Sequence, residues 1–200
     1  DAALDALAEI LSGSQGSPLY KGFIESKKAT SAYAWQYTRE LAGMFQIVGR
    51  ANQDGSLADT EKELRQILAE WEKKGVTDDD LIKFKAQFQS TLYNRLSTVQ
   101  GKGASLASYF TLNHNANNLP EELKRTLSLT KADVMKVYNT YIKNKPCVIL
   151  SCVPKGKTDL KTHEDTWKMY ERTIETESPE YKNLSYTEPK DDFDRSKMPA

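Results

Sequence analysis

Thr30-Ser-Ala-Tyr-Ala-Trp-Gln-Tyr37 alternates strictly, placing Tyr33, Trp35 and Tyr37 on one side and Ala32, Ala34 and Gln36 on the other. Period two sustained over such a stretch marks a half-buried strand. A second strand fits Gly43-Met-Phe-Gln-Ile-Val-Gly-Arg50. With only a few residues between them, antiparallel pairing is the simplest arrangement. The aromatic side carries no interleaved basic residues, so it predicts the face that packs against helices and not a base-stacking surface.

Outward from this pair the period becomes helical. On the N-terminal side, Asp1-Ala-Ala-Leu-Asp-Ala-Leu-Ala-Glu-Ile-Leu11 places Leu4, Leu7 and Leu11 at helical spacing from the first residue onward, with no initiator Met. That start predicts a piece excised from a larger protein, with a strand of the same module preceding Asp1. Ser12-Gly-Ser-Gln-Gly-Ser17 reads as a flexible connector, and Ser17 followed by Pro18 opens a short helix to about Ser26. On the C-terminal side, Ser56-Leu-Ala-Asp59 resembles a capping box and starts a helix with Leu64, Ile67, Leu68 and Trp71 inward, ended by Gly75. Thr77-Asp-Asp-Asp80 opens the next, its three acids at the positive end of the helix dipole, with a stripe of Leu81, Phe84, Phe88, Leu92, Leu96 and Val99. Gly101 and Gly103 are expected to break the run before a shorter helix carrying Leu106, Tyr109 and Phe110. Leu119-Pro-Glu-Glu-Leu-Lys124 begins another, and Thr130-Lys-Ala-Asp133 caps the last, with Val134, Val137, Tyr138 and Tyr141.

After Pro146, Cys147-Val-Ile-Leu-Ser-Cys-Val153 reads as a buried strand. Strands, a helical layer and a returning strand give an α+β fold: an antiparallel-dominated sheet covered on one face by a layer of helices. The two cysteines then point to opposite faces and lie roughly 16 Å apart, too far for a disulfide, so they are expected as small core residues. Residues 1–154 make the module, and 155–200 a polar tail and linker. In that tail Trp167, Met169, Tyr170 and Ile174 suit one or two amphipathic turns, and 175–200 reads as extended.

Lys+Arg and Asp+Glu are equal at 28 each, so the net charge is zero, without the basic excess of a nucleic-acid binder. No apolar run approaches the ~18 residues that a membrane span needs. Hydrophobic content of 38% and a mean hydropathy of −0.65 imply that part of the chain is not packed. The only histidines are His114, in a loop-like Asn-rich stretch, and His163, beside Glu164 in the polar tail. Zinc sites draw at least three ligands together, and neither neighbourhood offers them. Gly-x-Ser-x-Gly and the phosphate-binding Gly-x-x-x-x-Gly-Lys-Ser/Thr are both absent. No catalytic constellation and no metal site stands out.

The order of segments is specific. Ala3-Leu-Asp-Ala-Leu-Ala-Glu-Ile-Leu11, the Gly/Ser loop, Ser17-Pro-Leu-Tyr-Lys21, the paired strands, Gly75-Val-Thr-Asp-Asp-Asp-Leu81, Ala104-Ser-Leu-Ala-Ser-Tyr-Phe110, Leu127-Ser-Leu-Thr-Lys-Ala-Asp-Val-Met-Lys-Val-Tyr138 and the strand after Pro146, from about Asp1 to Pro154, together resemble the insulinase/pitrilysin family of zinc metallopeptidases. The catalytic module of that family carries His-x-x-Glu-His, which this sequence lacks, so the resemblance is to the non-catalytic second module. It implies a parent metalloendopeptidase with zinc in a separate catalytic module, that module and unfolded peptide as partners, and no cofactor in this chain. For the parent it favours the bacterial periplasm, with the cytoplasm as the alternative. Some related modules supply an Arg to the substrate; the matching position in Phe23-Ile-Glu-Ser-Lys-Lys-Ala29 is Ile24, and that role is not carried over. A glycine-rich loop in one relative's non-catalytic partner falls at Ser12–Ser17, which implies substrate contact at Gly13, Ser14, Gln15 and Gly16. The rival class is a scaffold or interaction module of a related assembly without peptidase activity.

Overall fold

In the computed structural model, which describes residues 1–39, 41–167, 170, 179–182 and 184–187, helix α1 (Ala2–Ser12) packs on strand β1 (Ala29–Thr38), which pairs antiparallel with β2 (Gly43–Ala51). Cross-strand partners Ala32 and Gly49, Ala34 and Ile47, and Gln36 and Phe45 share one side of this pair. That side meets the core, where Ala34 is buried and Ala32, Phe45 and Ile47 pack against buried Ala6, Leu7, Ile10, Leu11 and Phe23. The expectation for the aromatic side is therefore overturned. Tyr33, Trp35 and Tyr37 keep 46%, 40% and 41% of their surface exposed, on the uncovered side of the sheet. Small residues let the helix axis come close to the strand, and the bulkier apolar partners for the core are supplied by β2.

The helices begin where the capping signals put them. In α2 (Leu57–Lys74) the Ser56 hydroxyl accepts from the Asp59 N–H, and Ile67 and Trp71 are buried. In α3 (Asp78–Leu96) Thr77 and Asp80 form a reciprocal capping box, as Thr130 and Asp133 do for α6 (Lys131–Tyr141). Trp71 meets Tyr138 of α6 edge-on at 5.0 Å between ring centres, and Lys143 and Tyr138 both reach Glu72 of α2. The segment after Ser17 winds as a π-helical turn, Tyr20–Glu25, which sets Phe23 into the core. Ser17 does not cap it; its hydroxyl donates back to the Ser14 carbonyl at 2.6 Å.

Gly101 and Gly103 do not break a helix. Both lie inside α4 (Val99–Asn113), whose start is the Thr98 hydroxyl accepting from the Gly101 N–H. The actual break is Ser97–Thr98, where the chain folds back so tightly that a Cβ on Gly101 would fall 1.8 Å from the Arg95 carbonyl oxygen. A Cβ on Gly103 would meet nothing within 4 Å. The stripe expected to continue through Val99 ends with it, since Val99, Leu106 and Phe110 are all exposed. What binds α4 to its neighbours is polar. Tyr109 donates to Glu122 of α5 (Leu119–Leu127) and accepts from Arg95 of α3 at 3.3 Å.

The buried strand expected at 147–153 is not formed. The described sheet has two strands, β1 and β2, and the 147–153 segment pairs with neither. Val148 and Leu150 are 95% and 84% exposed, and Cys147 and Cys152 are exposed free thiols, not core residues. A strand is stable only when its N–H and C=O groups find a ladder, and apolar composition alone does not provide one. The stretch beyond it is tied down by side chains: Ser151 to Thr162 at 3.0 Å, and His163 Nε2 to Glu61 of α2 at 2.8 Å. Contacts divide the chain after Glu164, and the second unit contains the single turn α7 (Pro179–Lys182). Met169, Ile174 and most of the linker expected at 175–200 lie outside the described residues.

Two expectations follow. Gly101→Ala destabilises the chain by about 2 kcal/mol through overpacking, whereas Gly103→Ala stabilises it by roughly 0.5 kcal/mol through helix propensity; urea unfolding of both variants reads the opposite signs. The Tyr109 hydroxyl is pushed up to about 12 by its burial and by Glu122. Its neutral form is thus favoured in the fold, and stability is lost as pH rises from about 10 through 12. Tyr109→Phe, measured by denaturant midpoint across that window, loses less than the parent.

Candidate functional site

Two surfaces of the β1–β2 pair stand out. The first is its uncovered side. In antiparallel pairing directly opposite residues point the same way, so Tyr33, Trp35 and Tyr37 share this surface with Val48, Gln46 and Met44. The Trp35 and Tyr37 rings sit 6.3 Å apart, tilted, and the Arg39 guanidinium lies 4.8 Å over the Tyr37 ring. Amphipathic rings tolerate water at their edges while offering broad apolar faces. Met44 adds an unbranched, adaptable neighbour.

The second is a groove of about 330 Å³ along the outer edge of β1, walled by α1 and α3. Here the Ala34 N–H donates to the Ser12 hydroxyl at 2.9 Å, and that hydroxyl faces the Ala34 and Ala8 carbonyls at 3.2 and 3.1 Å. The Ala34 backbone groups therefore point away from β2. In an antiparallel ladder every second residue does the same, so Gln36 and Ala32 present theirs to the same edge. Among the described residues no other backbone pairs with this edge. Gln36 also donates its side-chain amide to Asp5 at 2.6 Å. Partial desolvation raises the Asp5 carboxyl above its usual value although the residue stays exposed, and the Gln36 hydrogen bond and the positive amino terminus offset this in part. Glu9, one turn further along α1, has no hydrogen-bond or ion-pair partner among the described residues.

Gly13, Ser14, Gln15 and Gly16 are all exposed, directly beyond Ser12 at the end of α1. Ile24 packs partly buried against the core. His114 caps α4 in the left-handed conformation and is exposed. His163 is brought to Glu61, which also takes Arg65 at 2.7 Å, and the Cys147 thiol lies by that same Arg65. This cluster joins residues far apart in sequence and had no local signal. Among the described residues no three His, Cys, Asp or Glu side chains gather as a metal site. Asp5 and Glu9 were missed as site residues; their signal was the spacing of four on α1, which puts both carboxylates on one helix face.

Residues 1–88 match the family described as peptidase M16 inactive domain. Similar solved structures include a protease from Helicobacter pylori (23% identity, TM-score 0.61, 71% of this chain and 34% of that one). The inactive peptidase domain of a candidate zinc protease from Bordetella parapertussis is also similar (14%, 0.61, 68% and 73%). So is a peptidase M16 inactive domain from Pseudomonas fluorescens (20%, 0.55, 70% and 33%). This chain thus spans about a third of the length of the first and the last of these. No curated protein matches the sequence. Over residues 1–88 the resemblance to the non-catalytic peptidase module is matched by that family, and the solved structures share the α+β fold.

Asp5 gives this site a measurable signature. A carboxyl raised in the fold costs stability as pH climbs from its ordinary value of 3.8 through the raised one. Asp5→Asn, which keeps a partner for Gln36, is expected to be more stable than the parent at pH 7 and equal to it near pH 3, by urea midpoint. A loss of stability at pH 7 would contradict the assignment.

Proposed function

We propose that this chain, whose first 88 residues match the peptidase M16 inactive domain, serves a zinc metallopeptidase as its non-catalytic module. It helps to enclose and hold unfolded peptide, while a catalytic module in the same or a partner chain hydrolyses the peptide at zinc. The observation that carries this reading is the uncovered side of the β1–β2 pair, where Tyr33, Trp35, Tyr37 and Met44 stay exposed on an otherwise ordered sheet. An unfolded peptide differs from a folded protein in presenting apolar side chains and free main-chain groups together. Aromatic rings and a thioether bind the former without demanding one sequence, because every apolar side chain gains from leaving water. The exposed loop Gly13–Gly16 suits contact with the latter, since glycine lets another backbone approach closely.

In this division of labour the chain supplies binding and the partner supplies the bond-breaking groups. Metal-assisted hydrolysis needs a polarised carbonyl and an activated water, both provided by the partner's zinc. The exposed apolar residues of α4, Val99, Leu106, Phe110 and Leu112, support a second reading. On that reading the chain is an interaction module in a related assembly without peptidase activity, and α4 meets another folded module.

Fluorescence anisotropy with a labelled, unstructured peptide tests the first reading. The chain is expected to bind it without cleaving it. Trp35→Ser with Tyr37→Ser should weaken binding about tenfold, the scale of losing well-placed aromatic anchors, with unchanged circular dichroism. Undiminished affinity in the double variant, or zinc-dependent cleavage by the chain alone, would overturn it.

A further inference from the structure

The groove along β1 gathers two carboxylates on one wall. It is lined by Asp5, Glu9, Ser12, Trp35, Gln36 and Phe88 among others, with no Lys, Arg or His side chain among the described residues of its wall. The side-chain hydrogen-bond partner of Asp5 is the neutral Gln36 amide, and Glu9 has none among the described residues. The Glu9 carboxylate lies against Gly13 at the carbonyl-bearing end of α1, and the last turn of that helix carries no basic residue. Partial negative charge from the helix end therefore adds to two carboxylates. A second cleft, of about 340 Å³ between the start of α1 and helices α5 and α6, differs: Arg125 and Lys136 there stand against Asp1 and Asp133. Charge is balanced in that cleft and unbalanced in the β1 groove.

We propose that the β1 groove receives an extended peptide through one basic side chain, Lys or Arg, seated against Asp5 and Glu9. The proposal deepens the peptide-binding reading above and rests on it. Three features of the groove match that occupant. The outward backbone N–H and C=O of Gln36 offer main-chain hydrogen bonds to a strand laid along the edge. The apolar wall of Phe84 and Phe88 suits the methylene stem of a long cationic side chain. Trp35, which lines the groove and also belongs to the uncovered sheet side, offers its ring to a guanidinium. A cation there adds to the Gln36 amide and the positive amino terminus in offsetting the partial desolvation of Asp5. The groove and the aromatic side thus meet at Trp35, so one peptide can engage both.

The experiment uses the full chain and two labelled peptides, unstructured and rich in Ser and Val, identical except for a central Arg or its neutral isostere citrulline. The Arg peptide is expected to bind about tenfold more tightly at low salt, the worth of one charge-assisted hydrogen bond, and the gap should narrow as salt rises. Asp5→Asn with Glu9→Gln should bring the Arg peptide to the affinity of its twin while leaving the twin unchanged. Thr91→Arg, placing a cation from the exposed rim into the groove, should remove the same preference by an independent route. Equal affinities for the two peptides on the parent chain, or a preference that survives both variants, would overturn the groove assignment and leave peptide binding standing. Failure of both peptides to bind would overturn the peptide-binding reading as well.

Discussion

The closeness of α1 to β1 governs the rest of the module. Ala32 and Ala34 present so little bulk that the helix settles directly on the strand, and Leu7, Leu11, Leu19 and Phe23 close the space around it with no exposed surface. Ser12 ends the helix with a hydroxyl on the outward N–H and C=O of Ala34, so the contact is registered as well as close. Once that side of the pair is taken, Tyr33, Trp35 and Tyr37 must face the other way. The same approach leaves the groove between α1, the strand edge and α3. Core packing and both candidate surfaces are thus consequences of one contact.

Polar interactions in the helical layer do a different job. Reciprocal boxes at Thr77–Asp80 and Thr130–Asp133 satisfy N–H groups that would otherwise lack partners. The Arg95, Tyr109 and Glu122 group links three helices where apolar contact is sparse. Ion pairs such as Lys28–Glu63 and Lys83–Asp79 are exposed, and pairs of that kind add little. Asp5 and Glu9 share one face of α1 along the β1 groove, where Gln36 is the hydrogen-bond partner of Asp5.

Much of the fold was legible in the sequence because its signals are local. Helix starts follow from Ser, Thr and Asp at fixed offsets, and the end of α2 follows from Gly75, whose φ of 71° suits glycine. The β1–β2 pairing follows from two alternating runs and a short connection. The misreadings share a cause: each depended on what lay across from the residue. Gly101 resembles a breaker until the Arg95 carbonyl is seen filling the place of its side chain. Cys147–Val153 has the composition of a strand but joins no ladder among the described residues. The aromatic side of β1 looked like core because one strand was weighed alone, whereas Phe45 and Ile47 of β2 place the apolar majority on the alanine side.

The candidate surfaces were legible only in outline. Segment order pointed to a non-catalytic peptidase module, and the Gly/Ser loop is exposed directly after Ser12. Sequence by itself determined the helices, their caps, the hairpin and the absence of the inverted zinc motif, since each is set by residue type within a few positions. Tertiary structure alone decided which side of the sheet is open, that Ser12 sits on the edge of β1, and that Asp5 and Glu9 face one groove. Those outcomes depend on how closely two surfaces distant in the chain can approach, and that distance is set by side-chain bulk on both partners at once.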